Sequence, residues 1–205
     1  MRKHDIDQDR VAELIDRCTR EVNEGLLPSC QFAIGFDGEI VLDETIGDAS
    51  PETRYCFFSA TKPFVAATVW QLLSEDALEL NTPIASLIPE FAENGKADIT
   101  LEQVLLHTAG FPHAPMGPDV WSDSESRRRR MAEWRLNWEP GSRYEYHATS
   151  AHWVLAEIIH VVTGHSHTDE VHRRVTEPLG LPRILGFSLD QQENMADLTL
   201  CEGEA

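Results

Sequence analysis

The sequence predicts an α+β fold in which an N-terminal helix and a small antiparallel sheet precede a largely helical region. Val11, Leu14, Ile15, Cys18 and Val22 recur at helical spacing ahead of Gly25, where a helix stops. Two β-rich segments, residues 30–36 and 39–46, are joined by Asp37-Gly38, a dipeptide favoured in two-residue type I′ turns. Beyond residue 58 the apolar residues fall mainly at helical spacing. The division is therefore a partial α/β sheet domain over 1–58 and a largely helical domain over 59–205. A lone hairpin makes a marginal sheet, so the first domain calls for further strands.

The helical elements follow in order. Residues 61–73 carry apolar side chains all round, which predicts a buried helix, and Pro63 suits its first turn, where a missing N–H has no partner to lose. Thr100 and Gln103 match a capping box ahead of a short helix that ends at His107-Thr108-Ala109-Gly110. A loop rich in Gly and Pro follows, with Pro112, Pro115, Gly117 and Pro118. Arg127 to Arg130 form a basic run in a helix and read as a solvated, ion-paired face. A helix from Thr149 or Ser150 buries Ala151, Val154, Leu155, Ile158, Ile159 and Val162 and stops at Gly164, and a last one covers about 168–176.

Composition narrows the partners. The formal charge of −18 repels nucleic acid and anionic membranes, leaving a neutral or cationic small molecule. No stretch has the length and apolarity of a membrane span, and the charged start lacks the apolar run of a secretory signal, so the expected location is cytoplasmic. Cys18, Cys30, Cys56 and Cys201 are widely spaced and read as free thiols. The cluster His160, His165 and His167 lacks a carboxylate or cysteine pattern, so neither metal nor organic cofactor is expected.

The chemistry concentrates in Phe58-Ser59-Ala60-Thr61-Lys62-Pro63-Phe64. In a helix beginning near Ser59, positions i and i+3 share a face, which sets the Lys62 amine beside the Ser59 hydroxyl. A serine needs such a neighbour to become nucleophilic, and backbone N–H groups at a helix start can stabilise developing negative charge. The same spacing is also met by a helix cap with a surface lysine.

The surrounding stretches decide between these. Besides the Ser59 segment, Leu105-Leu106-His107-Thr108-Ala109-Gly110-Phe111-Pro112, Pro140-Gly141-Ser142-Arg143-Tyr144-Glu145-Tyr146 and Glu177-Pro178-Leu179-Gly180-Leu181 occur in an order and spacing that resemble the serine β-lactamase and penicillin-binding-protein superfamily, in its class C β-lactamase and family VIII esterase branch. The resemblance implies a β-lactamase/transpeptidase-like fold, an α/β sandwich with an antiparallel sheet plus a largely helical domain, with the site at their junction. It implies that Ser59 is acylated, that Lys62 takes or relays its proton, and that Tyr146 is the partner base and protonates the leaving group, with the choice of base open. His107 and His147 are the expected substrate-binding residues, His147 in an exposed loop.

Two departures bear on activity. Where the family reads Tyr-x-Asn this chain reads Tyr146-His147-Ala148, without the amide that bonds a substrate carbonyl, which favours a simple carboxylic ester over a β-lactam or a D-amino-acid peptide. The family's third motif, Lys or His followed by Thr or Ser and Gly on a late strand, does not occur in the 205 residues, so the likeness is to the N-terminal portion. Losing one oxyanion donor costs on the order of 100- to 1000-fold in rate. The expected function is hydrolysis of a small ester or amide through an acyl-enzyme. The alternative is a catalytically silent homologue, or one half of a split protein, that associates with a complementing C-terminal chain or with its own copies.

Overall fold

The computed structural model describes residues 6–199, and the backbone divides into two units. The first comprises the residues up to Cys56 together with those from Leu189 onward, and the second runs Phe57–Ser188. Cys201 lies outside the described residues; Cys18, Cys30 and Cys56 are free thiols.

In the first unit, helix α1 (Gln8–Asn23) is capped by Asp7, whose carboxylate accepts from the amides of Asp9 and Arg10. It packs against the hairpin of β1 (Ser29–Phe36) and β2 (Glu39–Gly47). The strands are antiparallel, with Phe36 opposite Glu39 and a bulge between Ile34 and Gly35. Asp37 and Gly38 both take positive φ, 51° and 79°, as a type I′ turn requires. Among the described residues the sheet has two strands. Arg54 pairs with the 194–196 segment: its amide donates to Asn194 and its carbonyl accepts from Ala196, both at 2.8 Å.

The second unit is helical. A 3-10 turn (Phe58–Thr61) runs into α2 (Lys62–Ser74), followed by α3 (Ile84–Leu87), α4 (Leu101–Leu105), α5 (Ser124–Glu133), α6 (Ser150–Thr163) and α7 (His167–Val171). The capping box at α4 is present in full, the Thr100 hydroxyl receiving the Gln103 amide and the Gln103 side chain receiving the Thr100 amide. Past α7 the chain makes a π-helical turn (His172–Thr176) and a 3-10 turn (Glu177–Leu179), so the expected last helix is α-helical only in its first part.

The core gathers Val69, Ile84, Phe91, Leu101, Val104, Phe111, Met131, Val154 and Ile158, with α2 packed on α6. Helix α2 is not buried on all sides as expected. Val65, Thr68, Val69 and Leu72 form its inward stripe, while Trp70 turns away and is 65% exposed. Apolar composition identifies the helix but does not distinguish its faces. The basic run also differs from a simple solvated face. Arg127 is buried and, with Arg128 and the Ser124 hydroxyl, surrounds the fully buried Glu157 of α6, whereas Arg129 and Arg130 pair with Glu125, Glu133 and Asp119 nearer the surface. A carboxylate inside a core needs this degree of pairing, and α5 supplies it.

Candidate active site

Phe58 takes φ 45°, left-handed backbone that a bulky side chain rarely adopts, and this places Ser59 in the 3-10 turn ahead of α2. Lys62 is the first residue of α2, with Pro63 in the tolerated first turn. Its Nζ donates to Ser59 Oγ at 3.1 Å. Tyr146, 87 residues on, donates its hydroxyl to the same oxygen at 2.9 Å, and the Lys62 ammonium lies 5.1 Å from the Tyr146 ring centroid. The Lys62 ammonium beside it, and then the Ser59 hydroxyl, lower the Tyr146 pKa below the ordinary phenol value, because both stabilise the phenolate.

Tyr146 has no strand to hold it; the loop after α4 does so instead. Gly141 donates to the Thr108 carbonyl at 2.7 Å, Asn137 to the Gly110 carbonyl at 2.8 Å and Glu145 to the His107 carbonyl at 3.2 Å. The approach at Gly110 is close: its φ is 88°, and a β-carbon there would come 2.5 Å from the Trp138 carbonyl. His107 also has positive φ, 57°, which directs its ring onto Tyr146 with centroids 5.0 Å apart.

His147 is the main correction to the sequence reading. It is fully buried rather than in an exposed loop. Its Nε2 accepts from the Phe111 amide at 3.1 Å and its Nδ1 donates to the Glu145 carbonyl at 2.6 Å, so both ring nitrogens are committed and no valence is left for a substrate. Burial lowers its pKa, in keeping with a neutral ring whose acceptor nitrogen is occupied. Adjacency to Tyr146 in sequence suggests the substrate, but the aromatic cage of Phe111, Trp138 and His107 encloses this ring. His107 is half-buried, and its Nδ1 accepts the His147 amide at 3.1 Å, so it braces the Tyr146 segment.

Beside Ser59 a cavity of about 340 Å³ opens between α2 and α6. Ser59, Lys62 and Ala148 stand on its lining with Val65, His152 and Trp153. Ala148, which replaces the expected amide, thus borders this space with a methyl group. His152 is a site residue that the sequence reading does not single out. It sits three residues before Leu155 and seven before Ile159, at the margin of the apolar stripe of α6, and a polar residue at that margin is the available signal. Both of its ring nitrogens are enclosed without a hydrogen-bond partner, and the ring stacks on His107 at 6.4 Å. Burial, with the Lys62 charge, pushes its pKa down to about 4. His107 is lowered by burial, by His147 and by Lys62, and His167 by burial and by Arg127. The site therefore brings together the Ser59 hydroxyl, the Lys62 amine, the acidified Tyr146 phenol and a wall of neutral imidazoles.

A model of the Beta-lactamase family matches residues 14–193. Among curated proteins, Protein flp of Staphylococcus aureus (strain N315) is 26% identical over 187 residues, which span 84% of this chain and 37% of that protein. Esterase EstB of Burkholderia gladioli is 29% identical over 164 residues, spanning 71% of this chain and 41% of the esterase. A penicillin-binding protein homolog from Caulobacter crescentus superposes with a TM-score of 0.82 at 29% identity over 94% of this chain and 54% of that structure. A family VIII carboxylesterase superposes with 0.80 at 25% over 92% and 55%. The fold is thus β-lactamase/transpeptidase-like, and the chain spans about half the length of those solved structures and 37% of Protein flp.

Proposed function

Because the chain belongs to the beta-lactamase family, we propose that it is a serine hydrolase that cleaves a small carboxylic ester through an acyl-enzyme on Ser59. The observation that carries this reading is the convergence of Lys62 Nζ and Tyr146 OH on one serine oxygen, at 3.1 and 2.9 Å. As Ser59 Oγ bonds to the substrate carbonyl carbon, its proton passes to the Tyr146 phenolate, stabilised by the Lys62 ammonium, or to Lys62 in its neutral amine form. The carbon–oxygen bond to the alcohol then breaks, and the same proton goes to the departing oxygen. Water, deprotonated by the same group, then attacks the acyl carbon, the bond to Ser59 Oγ breaks, and the proton returns to that oxygen, releasing the acid and restoring the Ser59 hydroxyl. The Ser59 amide in the turn ahead of α2 is the N–H that receives the negative charge on the carbonyl oxygen in this reading, since the Ala60 and Lys62 amides already donate to the Phe57 and Ser59 carbonyls.

An ester is favoured over an amide or a β-lactam by the Ala148 methyl at the cavity, which offers no hydrogen bond to a substrate amide. The similarity to Esterase EstB and to the family VIII carboxylesterase supports the same choice. The test is hydrolysis of 4-nitrophenyl acetate by the purified chain and by Ser59→Ala. Turnover that falls to background in Ser59→Ala supports the reading, and equal turnover in the two overturns it.

The second reading, a binding module completed by another polypeptide, draws on the first unit. None of the residues of α1 is buried, and the hairpin is the whole sheet among the described residues. Such a sheet gains stability from added strands. Sedimentation of the chain alone separates a self-associating form from a monomer that needs a different partner.

A further inference from the structure

We infer that His107 is a positioning residue for the acyl transfer: its uncharged ring, accepting at Nδ1, holds the Tyr146 segment where the phenol reaches Ser59, and a proton on that nitrogen lets the segment go; this rests on the reading of Ser59 as the acylated residue and of Tyr146 as its proton partner.

His107 grips the chain on both sides of Tyr146. Its carbonyl accepts the Glu145 amide at 3.2 Å, and its ring Nδ1 accepts the His147 amide at 3.1 Å. The left-handed φ of 57° at His107 is the backbone turn that offers both acceptors to one segment. Tyr146 depends on such a grip because little else fixes it. Residues 143–147 form no helix or strand, the Tyr146 side chain is 43% exposed, and the bond from the Gly141 amide to the Thr108 carbonyl lies upstream of this segment.

A backbone amide can only donate, so the His147 amide fixes the His107 ring with a lone pair on Nδ1 and its proton on Nε2. The His147 ring is fixed the opposite way, with the Phe111 amide on its Nε2 and the Nδ1 proton directed to the Glu145 carbonyl. Two neighbouring imidazoles thus interlock as opposite tautomers around residues 145–147. A proton taken from solvent by His107 Nδ1 turns that acceptor into a donor facing the His147 N–H, and the bond is lost. The bond from the Glu145 amide to the His107 carbonyl is untouched. The segment then stays hinged before Tyr146 and is released after it.

The groups around the ring set when that proton binds. Lys62 of α2 acts on it with positive charge, the His147 ring lies at 5.7 Å, and the His152 ring of α6 stacks on it at 6.4 Å. From the loop, the Tyr146 and Tyr144 rings stand at 5.0 and 6.4 Å, and the Glu145 carboxylate is engaged by Arg143 and His113. Burial, then His147 and Lys62, lower the His107 pKa below the ordinary 6.5. The hold therefore persists at neutral pH and fails in mild acid.

The experiment pairs nitrogen NMR of the histidine rings in the unaltered chain with pH–rate profiles for 4-nitrophenyl acetate. His107, identified by the signals missing from His107→Asn, is expected as the Nε2–H tautomer and His147 as the Nδ1–H tautomer. On acidification the His107 ring, the His147 amide and the Tyr146 ring should move with one midpoint below pH 6.5. The rate should fall more steeply with pH below that midpoint than above it. His107→Gly accepts the same φ but offers no ring acceptor, and it should lower kcat about 10- to 100-fold with KM little changed. His107→Asn keeps a side-chain acceptor and tolerates the φ, so it should recover most of that loss and lack the added acid steepness. A His107 ring protonated on Nδ1 at neutral pH, Tyr146 signals indifferent to the His107 midpoint, or equal kcat in the unaltered chain and His107→Gly would each overturn the inference. Equal turnover in Ser59→Ala with the common midpoint intact would overturn the catalytic reading and leave the hold on Tyr146 standing.

Discussion

The Tyr146 hydroxyl reaches Ser59 Oγ at 2.9 Å across 87 residues of sequence, and the contact is set by a loop rather than by a strand. Removing that hydroxyl leaves the Lys62 to Ser59 hydrogen bond in place. Tyr146→Phe should therefore lower kcat for 4-nitrophenyl acetate by about 100- to 10,000-fold, the range for losing a general acid–base group, with circular dichroism unchanged.

The pH dependence of the same reaction follows from the direction of the Tyr146 shift. A phenol acidified by the neighbouring ammonium gives a rate that rises through a pKa below the ordinary value of 10.0. In Lys62→Met the largest cause of that shift is gone. The residual rate should then rise at higher pH than in the unaltered chain, as a pH–rate profile will show.

Acid should destabilise the second unit through its enclosed histidines. His152 has a folded pKa of about 4 against an ordinary value of 6.5, so the unfolded chain binds the extra proton between those values. The stability present above pH 6.5 is lost as pH falls toward 4, by on the order of 3 kcal/mol from this ring alone. His107, His147 and His167 shift in the same direction. Urea midpoints measured from about pH 7 to about pH 4 should fall steadily, and His152→Phe should flatten part of the slope.

Glu157 offers a test of the α5–α6 contact. Its two carboxylate oxygens are divided between Arg127, Arg128 and Ser124 inside the fold. Glu157→Ala leaves the buried Arg127 guanidinium without its carboxylate, and a loss of about 3–5 kcal/mol in unfolding free energy is expected by chemical denaturation. Arg127→Met combined with Glu157→Leu should recover part of that loss.

Lys96 gives a trend of the same origin as that of the histidines, in a higher pH range. Its side chain is completely buried and donates to the Glu93 carbonyl and, at 2.7 Å, to that of Trp134. Desolvation brings its pKa down to about 8 from 10.5, so stability should increase as pH rises between those values. In Lys96→Met that increase should vanish, and the two carbonyls left unpaired should cost about 1–3 kcal/mol each near neutral pH.

Local rules carry much of the reading from sequence. The Asp37-Gly38 turn, the Thr100 capping box and the Gly164 stop of α6 each depend on residues within one turn of one another, and each occurs where the sequence places it. The i, i+3 relation of Ser59 and Lys62 is legible for the same reason. His147 is misplaced by sequence because its surroundings come from Phe111, Trp138 and His107, three separate stretches, and no local pattern reports such a cage. The cavity wall is hidden from sequence because His152 and Trp153 become neighbours of Val65 only once α2 lies on α6. The partial exposure of α2 is hidden too, because apolar composition does not say which face a neighbour covers.

Phe58, with its φ of 45°, holds a further consequence for how the chain responds to change. A left-handed torsion costs a bulky residue about 1–2 kcal/mol, and glycine escapes that cost. Phe58→Gly would thus relax the torsion in the folded form while giving the unfolded chain more freedom, and the two effects oppose each other. What the substitution cannot preserve is the single direction in which the following peptide presents Ser59. Heat resistance and the placement of Ser59 answer to different features of this residue, so a variant chosen for the first alone need not keep the serine oxygen where Lys62 and Tyr146 meet it.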